Sequence, residues 1–407
     1  MYGISNYLHR ATLFAHNTLR PGRKKLATLM IYATDLCDSA CKHCLIWAKR
    51  PVQYLTKEKI IDIMQSRCVT KRTTVGLEGG EFLLHPQALN ILAWFHRHHP
   101  NFDLLSNCLK PDRVIEAVRR FPPQRLYVSL DGTRETYQSM RGKDGYEQVL
   151  TVIKALKEET AISVMFTLSP YNDFEDMQQV AEVCQTLGVD LRIGIYNNIA
   201  FFDTIEKAHE TDLGTRKEER LLQYKDVQDH RGFSLDTPEV MLPVLDADTL
   251  AIPQHDASPV KHSFLKEQIP EVVKLFKENY DFLVLYDEWR KKQLRLRCHS
   301  ILDSLIVLPD GDVPLCQNLD LKLGNVHRNT LDEIFNGMEA QHIQHRFSHN
   351  CNQCWINFHR KYDIVLYRTL ERFFPKAMIS KMFGYYQWSQ DRKATYRSLV
   401  ERTASRT

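Results

Sequence analysis

Residues 26–44 read LATLMIYATDLCDSACKHC, and this stretch decides the fold. Its first part is a short apolar run that ends in polar residues, which predicts a buried β-strand over residues 26–34. Cys37, Cys41 and Cys44 follow in a loop. A loop that directly follows a buried strand lies at the carboxyl end of that strand, where α/β proteins place their functional sites.

Five more strands are predicted downstream, at residues 73–78, 102–106, 125–130, 161–168 and 189–196. Helical patterns separate them, from the N-cap Thr56 to about Cys68, from Pro86 onward, and over residues 111–120, 146–158 and 174–187. About six strand–helix alternations indicate an α/β fold with a parallel sheet and helices outside it. The motifs Gly79-Gly80-Glu81 and Ser129-Leu130-Asp131-Gly132 end or follow predicted strands, so we expect them on the same rim as the cysteine loop.

The composition is that of a globular protein, with 407 residues, 43% hydrophobic and 26% charged. This length predicts two domains, or one large domain with an appendage. There is no apolar run of about 20 residues and no signal-peptide pattern, which favours a cytoplasmic protein. Ten cysteines in a reducing compartment indicate metal ligands rather than disulfides. Three isolated ones are expected to be buried as small hydrophobic residues, namely Cys68, Cys108 and Cys184.

Three closely spaced thiols suit a soft metal centre. A structural zinc site has four closed ligands. An iron–sulfur cluster held by Cys37, Cys41 and Cys44 would instead leave one iron open. The spacing C-x3-C-x2-C by itself could also be half of a zinc site.

The cysteine spacing, together with Gly79-Gly80-Glu81, resembles the radical S-adenosylmethionine (SAM) superfamily. The resemblance implies a partial (β/α)6 TIM-like barrel, a 4Fe–4S cluster and SAM bound to the open iron. It also implies an electron donor of the flavodoxin or ferredoxin type. In this family, reduction breaks the sulfonium bond, and a 5′-deoxyadenosyl radical takes a hydrogen atom from the substrate. One departure is His43, where the family usually has an aromatic residue before the third cysteine.

The resemblance also implies SAM contacts, carried over one position at a time. The backbone of Gly79 and Gly80 would approach the methionyl amine, which Glu81 would support. Further contacts are implied for the ribose and for the carboxylate, namely Asn107 in LLSNC, Ser129 in VSLDG and Arg141 in Met-Arg-Gly. Two alternatives stay open: the Ser-Leu-Asp-Gly stretch is only a turn, and Arg141 is only a surface charge.

A second cysteine group comprises Cys298, Cys316, Cys351 and Cys354. The Asp310-Gly311-Asp312 stretch between apolar runs predicts a hairpin over residues 301–327. Four cysteines with a C-x2-C half are also a common zinc arrangement. After a radical SAM core, however, C-x12-G-x4-C resembles the start of a SPASM/twitch-type extension. Because no cysteine follows Cys354, the resemblance implies the shorter twitch form, a hairpin plus helix holding one auxiliary 4Fe–4S cluster.

A fully ligated auxiliary cluster favours electron transfer, and hence oxidation of the substrate. The alternatives are a redox-neutral epimerisation or rearrangement, a peptide-modifying enzyme, and a zinc-binding interaction protein. Only about 25 residues precede the core, which leads us to expect a small or lipid-linked substrate. The catalytic base is not identified by the sequence; three polar residues near the second cysteine group are candidates, namely His299, Asp287 and Asp320.

The expected organisation has five parts: a basic amphipathic segment (1–25), the radical SAM core (26–200), a core-associated insertion (201–290), the auxiliary-cluster domain (291–360) and a basic helical tail (361–407). Residues 1–26 carry a net charge of +5, and the tail carries +6. Basic, aromatic ends can contact an anionic membrane surface peripherally. They can equally pack on the acidic body of the protein. No known nucleic-acid-binding module is present, so no nucleic-acid partner is predicted.

Overall fold

The computed structural model describes residues 4–44, 46–49, 51–169, 171–195, 269–290, 296–317, 321–350, 354–371, 373–375 and 377–378. Parts of the predictions lie outside these residues: Cys351, Asp320, residues 201–268 of the insertion, and the tail beyond residue 378. The five predicted parts and their boundaries stay predictions.

The centre of the fold is a parallel sheet of seven strands. The first six are Thr28–Tyr32 (β1), Thr74–Glu78 (β2), Phe102–Ser106 (β3), Arg125–Ser129 (β4), Ile162–Leu168 (β5) and Asp190–Ile195 (β6). A seventh strand, Ser304–Val307 (β7), pairs with β1, which gives the order β6-β5-β4-β3-β2-β1-β7. The sheet and its helices form the partial (β/α)6 barrel that the sequence predicts.

Seven helices come before the insertion: Ile4–Leu19 (α1), Lys57–Met64 (α2), Ala88–His98 (α3), Pro111–Arg120 (α4), Arg134–Arg141 (α5), Tyr146–Leu156 (α6) and Phe174–Leu187 (α7). Further along the described chain lie Glu271–Lys274 (α8), Lys277–Arg290 (α9), Leu331–Asn336 (α10), Met338–Asn350 (α11) and Asn357–Glu371 (α12). Short 3-10 turns occur at Pro21–Arg23, Ile46–Ala48, Phe82–Leu84 and Ser300–Leu302.

Several helix starts follow from local chemistry. Thr56 caps α2 by accepting a hydrogen bond from Lys59 N (3.2 Å), as predicted. Pro111 begins α4, where its missing N–H costs nothing. The predicted start at Pro86 is wrong: α3 begins at Ala88, because the chain first makes the 3-10 turn Phe82–Leu84. Helix α5 is not predicted from the sequence.

Along each strand, the side chains alternate between the face covered by helices and the barrel interior. Leu29, Ile31, Val75 and Leu77 join one core with apolar residues of the surrounding helices. Side chains alternate along a strand, so the intervening positions face the interior. The isolated cysteines belong to the same helix-facing core, which confirms their prediction as buried hydrophobic residues, namely Cys68, Cys108 and Cys184.

Two asparagine side chains form hydrogen bonds with the backbone groups of β6, at the edge of the sheet. Asn279 in α9 donates to Leu191 O (2.6 Å) and accepts from Ile193 N (3.0 Å). Asn357, at the start of α12, donates to Ile193 O (2.9 Å). An edge strand otherwise exposes unpaired backbone groups. These bonds fix α9 and α12 against the open side of the barrel.

The predicted hairpin over residues 301–327 is only partly right. A turn does form at Asp310-Gly311, where Gly311 N donates to Leu308 O (2.9 Å). The run before the turn, however, becomes β7 and pairs in parallel with β1 rather than with the run after it. That second run, Asp312–Pro314 (β8), pairs antiparallel with Lys322–Asn325 (β9). The hairpin therefore lies one strand later than predicted.

The N-terminal helix packs on the C-terminal part of the chain. Arg10 forms two hydrogen bonds with the Asp303 carboxylate (3.1 and 3.0 Å) and lies over the Tyr362 ring. Leu13 is buried, whereas Ala11 and Ala15 are exposed. Part of the basic N-terminal segment is therefore used for internal packing. None of the described helices is long and apolar enough to span a bilayer.

Candidate active site

The first cysteine loop is fixed at the carboxyl end of β1. Cys37 and Cys41 are each 8% exposed, and Cys44 is half-buried. Ala40 N donates to Arg141 O (3.0 Å), and Trp47 Nε1 donates to Cys41 O (3.2 Å). The loop is thus held by the end of α5, the helix that the sequence analysis missed.

Gly79 and Gly80 face the backbone that leads into the cysteine loop. A Cβ on Gly79 would overlap Thr34 O, and one on Gly80 would overlap Leu36 O. The backbones are joined by hydrogen bonds, because Gly80 N donates to Thr34 O (2.7 Å). Glycine is required here by close backbone approach. The resemblance implies that SAM approaches this backbone; the structure shows a close approach between two segments of the chain.

Glu81 ties the end of β2 to the end of β3. Its carboxylate accepts from Asn107 N (2.7 Å) and from the Ser106 hydroxyl (3.2 Å). Burial raises the pKa of Glu81 to about 7. The Asn107 side chain donates to Asp38 Oδ1 (2.8 Å) and lies 3.9 Å from Cys37 Sγ. Glu81 and Asn107 therefore do lie beside the cysteine loop, as predicted.

Arg141 is not a surface charge, and the Ser-Leu-Asp-Gly stretch is more than a turn. Arg141 is 7% exposed and donates from Nε to Asp131 Oδ2 (2.6 Å). Its Nη1 lies 3.8 Å from Cys41 Sγ. Asp131 also accepts from Thr167 N (2.8 Å), so it connects β4, β5 and α5. Ser129 ends β4 and is 8% exposed.

His43 lies between two of the cysteines with a buried, unsatisfied nitrogen. Within the described part of the chain, its Nδ1 has no hydrogen-bond partner. Burial lowers the pKa of His43 to about 4, so the ring is neutral at pH 7. A buried polar atom without a partner is costly, which suits a group that receives its hydrogen bond from a bound molecule.

The surroundings of the three thiols fit a metal–sulfur centre. Burial raises the pKa of Cys44 to about 12 and raises those of Cys37 and Cys41 as well, so the unligated thiols are neutral. Coordination deprotonates such thiols outright. Polar groups lie beside two of the sulfurs, including the Ser39 hydroxyl, 3.2 Å from Cys41 Sγ. Among the described residues, no three His, Cys, Asp or Glu side chains are arranged to hold one single ion.

The second cysteine group is also buried. Cys298, Cys316 and Cys354 are 5–7% exposed, and Cys351 lies outside the described residues. Cys298 and Cys316 share an apolar cluster with Ile301, Leu315, Ile343 and Phe347. The structure therefore brings two of the four predicted ligands into one buried cluster.

An apolar cluster joins the first cysteine loop to the segment between Cys298 and Cys316. Its buried members are Tyr32, Cys37, Ala40, Ile46, Trp47, Ile306 and Leu308, and Cys44 and Phe358 pack against it. A hydrogen bond also connects the two segments, because Gln317, which follows Cys316, donates from Nε2 to the hydroxyl of Tyr32 at the end of β1 (2.8 Å). The auxiliary-cluster segment thus contacts the first cysteine loop directly.

Glu78 is a candidate functional residue that the sequence analysis missed. It ends β2 on the interior face, half-buried, and accepts a hydrogen bond from the Tyr32 hydroxyl. Burial raises the pKa of Glu78 to about 7. Strand alternation could have indicated it, since Tyr32 and Glu78 are register partners on adjacent strands at the rim.

The three candidate bases named from the sequence gain no support. His299 is buried between Phe14 of α1 and Tyr362 of α12, and its Nδ1 pairs with Asp363 (2.7 Å). It therefore serves the packing of the C-terminal part. Asp287 lies in α9, without a described side chain, and Asp320 is outside the described residues.

Two family models match the chain. The radical SAM superfamily model matches residues 31–184, and the model of an iron–sulfur cluster-binding domain, SPASM, matches residues 298–355. A comparison with curated proteins finds no match. These family matches favour an enzyme over a zinc-binding interaction protein.

Among solved structures, the chain is similar to Streptococcus suis SuiB bound to its precursor peptide SuiA. The TM-score is 0.54 at 11% identity, covering 82% of this chain and 70% of that chain. SuiB bound to S-adenosylmethionine gives a TM-score of 0.51 at 11% identity, covering 83% and 72%. Similarity at this identity shows the fold alone.

The radical SAM domain implies a 4Fe–4S cluster and SAM, and the SPASM domain implies auxiliary iron–sulfur binding. The cysteine loop lies at the rim of a partial (β/α)6 barrel, which is the arrangement expected from the two matched domains. The chain therefore belongs to the radical SAM superfamily and is an enzyme with a SPASM-type domain after its barrel.

Proposed function

We propose that the chain is a radical SAM oxidoreductase that removes two hydrogens from a small or lipid-linked substrate. Cys37, Cys41 and Cys44 would hold the cluster that binds SAM. The second cysteine group would hold one auxiliary 4Fe–4S cluster that accepts an electron from the substrate, namely Cys298, Cys316, Cys351 and Cys354. The observation that carries the proposal is the apolar cluster in which Ile306 and Leu308, between Cys298 and Cys316, pack with the first cysteine loop.

The chain's residues prepare the first site. When bound, SAM and the reduced cluster supply a radical that abstracts a hydrogen atom. Arg141 and Asn107 offer N–H groups near the sulfurs of Cys41 and Cys37, where such donors stabilise the thiolate form. SAM would bind at the rim between Glu81 and His43. The residues that would contact SAM are Gly79, Gly80, Glu81, Asn107, Ser129, Arg141 and His43.

The contact between the auxiliary-cluster segment and the first site supports oxidation over a redox-neutral reaction. An electron leaving a substrate in the barrel would need an acceptor nearby. The Gln317–Tyr32 hydrogen bond and the packing of Ile306 and Leu308 bring the auxiliary-cluster segment to the rim. A cluster whose irons are all ligated by the protein has no open iron for substrate, so electron transfer suits it better.

Oxidation also requires an acceptor for the proton, and Glu78 is our candidate. It faces the interior, half-buried, beside the rim. A carboxylate with a pKa near 7 is suited to act as a general base at neutral pH. Its hydrogen bond with Tyr32 fixes the carboxylate at the end of β2.

Part of the barrel interior is polar, near the amino-terminal ends of the strands rather than at the rim. Asp103, Arg125 and Arg192 occupy interior positions on β3, β4 and β6. They pair with neighbours, since Arg192 binds Glu278 (2.8 Å) and Arg125 approaches Asp190 (3.4 Å). The electron donor and a peripheral membrane contact stay predictions.

Product mass tests the proposal. The anaerobically reconstituted enzyme is incubated with SAM, a reductant and candidate sugars, amino acids and lipid-linked headgroups. We expect a product lighter by two hydrogens and one 5′-deoxyadenosine per product. The Cys298→Ala variant should still cleave SAM but lose the oxidised product. A product of unchanged mass would instead support epimerisation or rearrangement, and a modified peptide would support peptide chemistry.

A further inference from the structure

The first turns of α12 carry three buried polar side chains that have no role in the proposed reaction. His359, Arg360 and Asp363 are each at most 2% exposed. Arg360 is among the largest fully buried side chains described. Buried charges of this kind need specific partners. All three residues find theirs in the segments around the predicted auxiliary ligands.

Arg360 connects Cys354 with the segment before Cys298. Its Nε donates to Cys354 O (3.0 Å). Its Nη1 donates to Leu296 O (3.2 Å) and Arg297 O (3.4 Å). The planar guanidinium offers five donors in a fixed fork, so it sets the spacing of these carbonyls. One side chain therefore fixes two ligand segments that are distant in sequence.

Asp363 binds His299, the residue that follows Cys298. One carboxylate oxygen accepts from both His299 N (3.2 Å) and His299 Nδ1 (2.7 Å). The other pairs with Arg360 Nη1 (3.3 Å). The pair is buried as a whole, and each charge is compensated by the other.

His359 connects Cys298 with the third described ligand, Cys316. Its Nε2 accepts from Gln317 N (3.3 Å), so Nδ1 carries the hydrogen and donates to the Ser300 hydroxyl (2.7 Å). Burial lowers the pKa of His359 to about 3, which keeps the ring neutral and this arrangement intact. Ser300 lies two residues after Cys298, and Gln317 directly follows Cys316.

We propose that His359, Arg360 and Asp363 form a clamp that positions the auxiliary-cluster ligands before iron binds. The proposal rests on the assignment of the second cysteine group to that cluster. The clamp residues are positioning residues, because they hold backbone and neighbouring side chains rather than the metal. Ligand segments from three parts of the sequence are gathered by one helix. Iron loading at this site should therefore depend on the clamp, whereas loading at the first site should not.

Two variants test the clamp in the full-length chain. Arg360→Met removes all the guanidinium bonds, and His359→Phe removes two bonds without leaving a buried charge. After anaerobic reconstitution, iron and sulfide per chain are measured together with the electron paramagnetic resonance spectrum, with and without SAM. We expect each variant to lose about half the iron, from about eight to about four per chain. The SAM-sensitive signal should stay.

The matched control is Arg368→Met, on the same helix, where Arg368 Nε pairs with Asp281 (3.0 Å) away from the cysteines. It should bind the full amount of iron. Arg360→Lys, which keeps the charge but not the fork, should recover part of the loss. Thermal unfolding followed by circular dichroism checks that the variants fold.

Three outcomes overturn the proposal. If folded Arg360→Met and His359→Phe both bind the full amount of iron, the clamp is not needed for loading. If both lose the SAM-sensitive signal too, they support the fold in general. If Cys298→Ala leaves the iron unchanged, the cluster assignment itself fails. A redox-neutral product would refute the proposed oxidation but leave the clamp intact.

Discussion

Replacing Arg141 by methionine should destabilise the protein strongly even without iron or SAM. The guanidinium is buried at the rim and binds the fully buried Asp131 carboxylate (2.6 Å). Methionine roughly preserves the length of the side chain but removes its charge and donors. Asp131 would keep its bond from Thr167 N but lose its counter-ion. The change therefore leaves an uncompensated buried charge.

The expected loss is about 3–5 kcal/mol of unfolding free energy, the usual effect of breaking a buried ion pair by removing one partner. The same helix provides a matched control, because Arg134 pairs with Asp144 (2.7 Å) with both side chains largely exposed to solvent. Arg134→Met should change stability little, since exposed pairs contribute little. The two variants thus compare the same chemical change in two environments.

The assay is urea unfolding of the metal-free protein, followed by fluorescence and circular dichroism. Arg141→Met combined with Asp131→Asn should recover part of the loss, because the orphan charge is then gone. Equal midpoints for Arg141→Met and Arg134→Met would refute the reasoning. So would a double variant less stable than the sum of the single changes.

Three other predictions concern the rim. Cys41→Ala should abolish SAM cleavage, measured as 5′-deoxyadenosine, whereas Cys184→Ala in the core should retain it. Because the pKa of Glu78 is raised from 4.5 to about 7, its contribution to stability falls as pH rises through that window. In urea unfolding, the effect of Glu78→Gln on the free energy of unfolding should therefore be about 3 kcal/mol more favourable at pH 8 than at pH 4.5; an equal effect at both pH values would exclude this. Gly80→Ala should fail to fold normally, because its Cβ would overlap a carbonyl, whereas Gly194→Ala meets nothing closer than 3.8 Å and should melt near the parent.

Local patterns predicted most of the barrel. The run FDLLS became β3 over Phe102–Ser106, and Pro111 began α4 as expected. Both depend on neighbours in sequence, through strand alternation and helix-end chemistry. The strand at residues 304–307 shows the limit. An Asp-Gly pair indicates a turn, but the choice of β1 as partner depends on a contact between Thr28 and Ser304.

The sequence predicted which residue types form the site better than it predicted which of them contact each other. The cysteine loop, Glu81 and Asn107 do meet at the rim, because the ends of parallel strands lie together. Sequence could not show that Arg141 binds Asp131, since α5 was not recognised. It also missed Glu78, whose importance depends on the neighbouring Tyr32 and on burial.

The pairing of β7 with β1 has a consequence for biosynthesis. The outer edge of β1 is complete only when residue 307 has been made, some 270 residues after β1 itself. At roughly 5–20 residues per second, the ribosome exposes this edge for about 15–55 s. An unpaired edge strand is a template for aggregation. The nascent chain should therefore depend on chaperones during that interval, and fragments ending before residue 300 should aggregate.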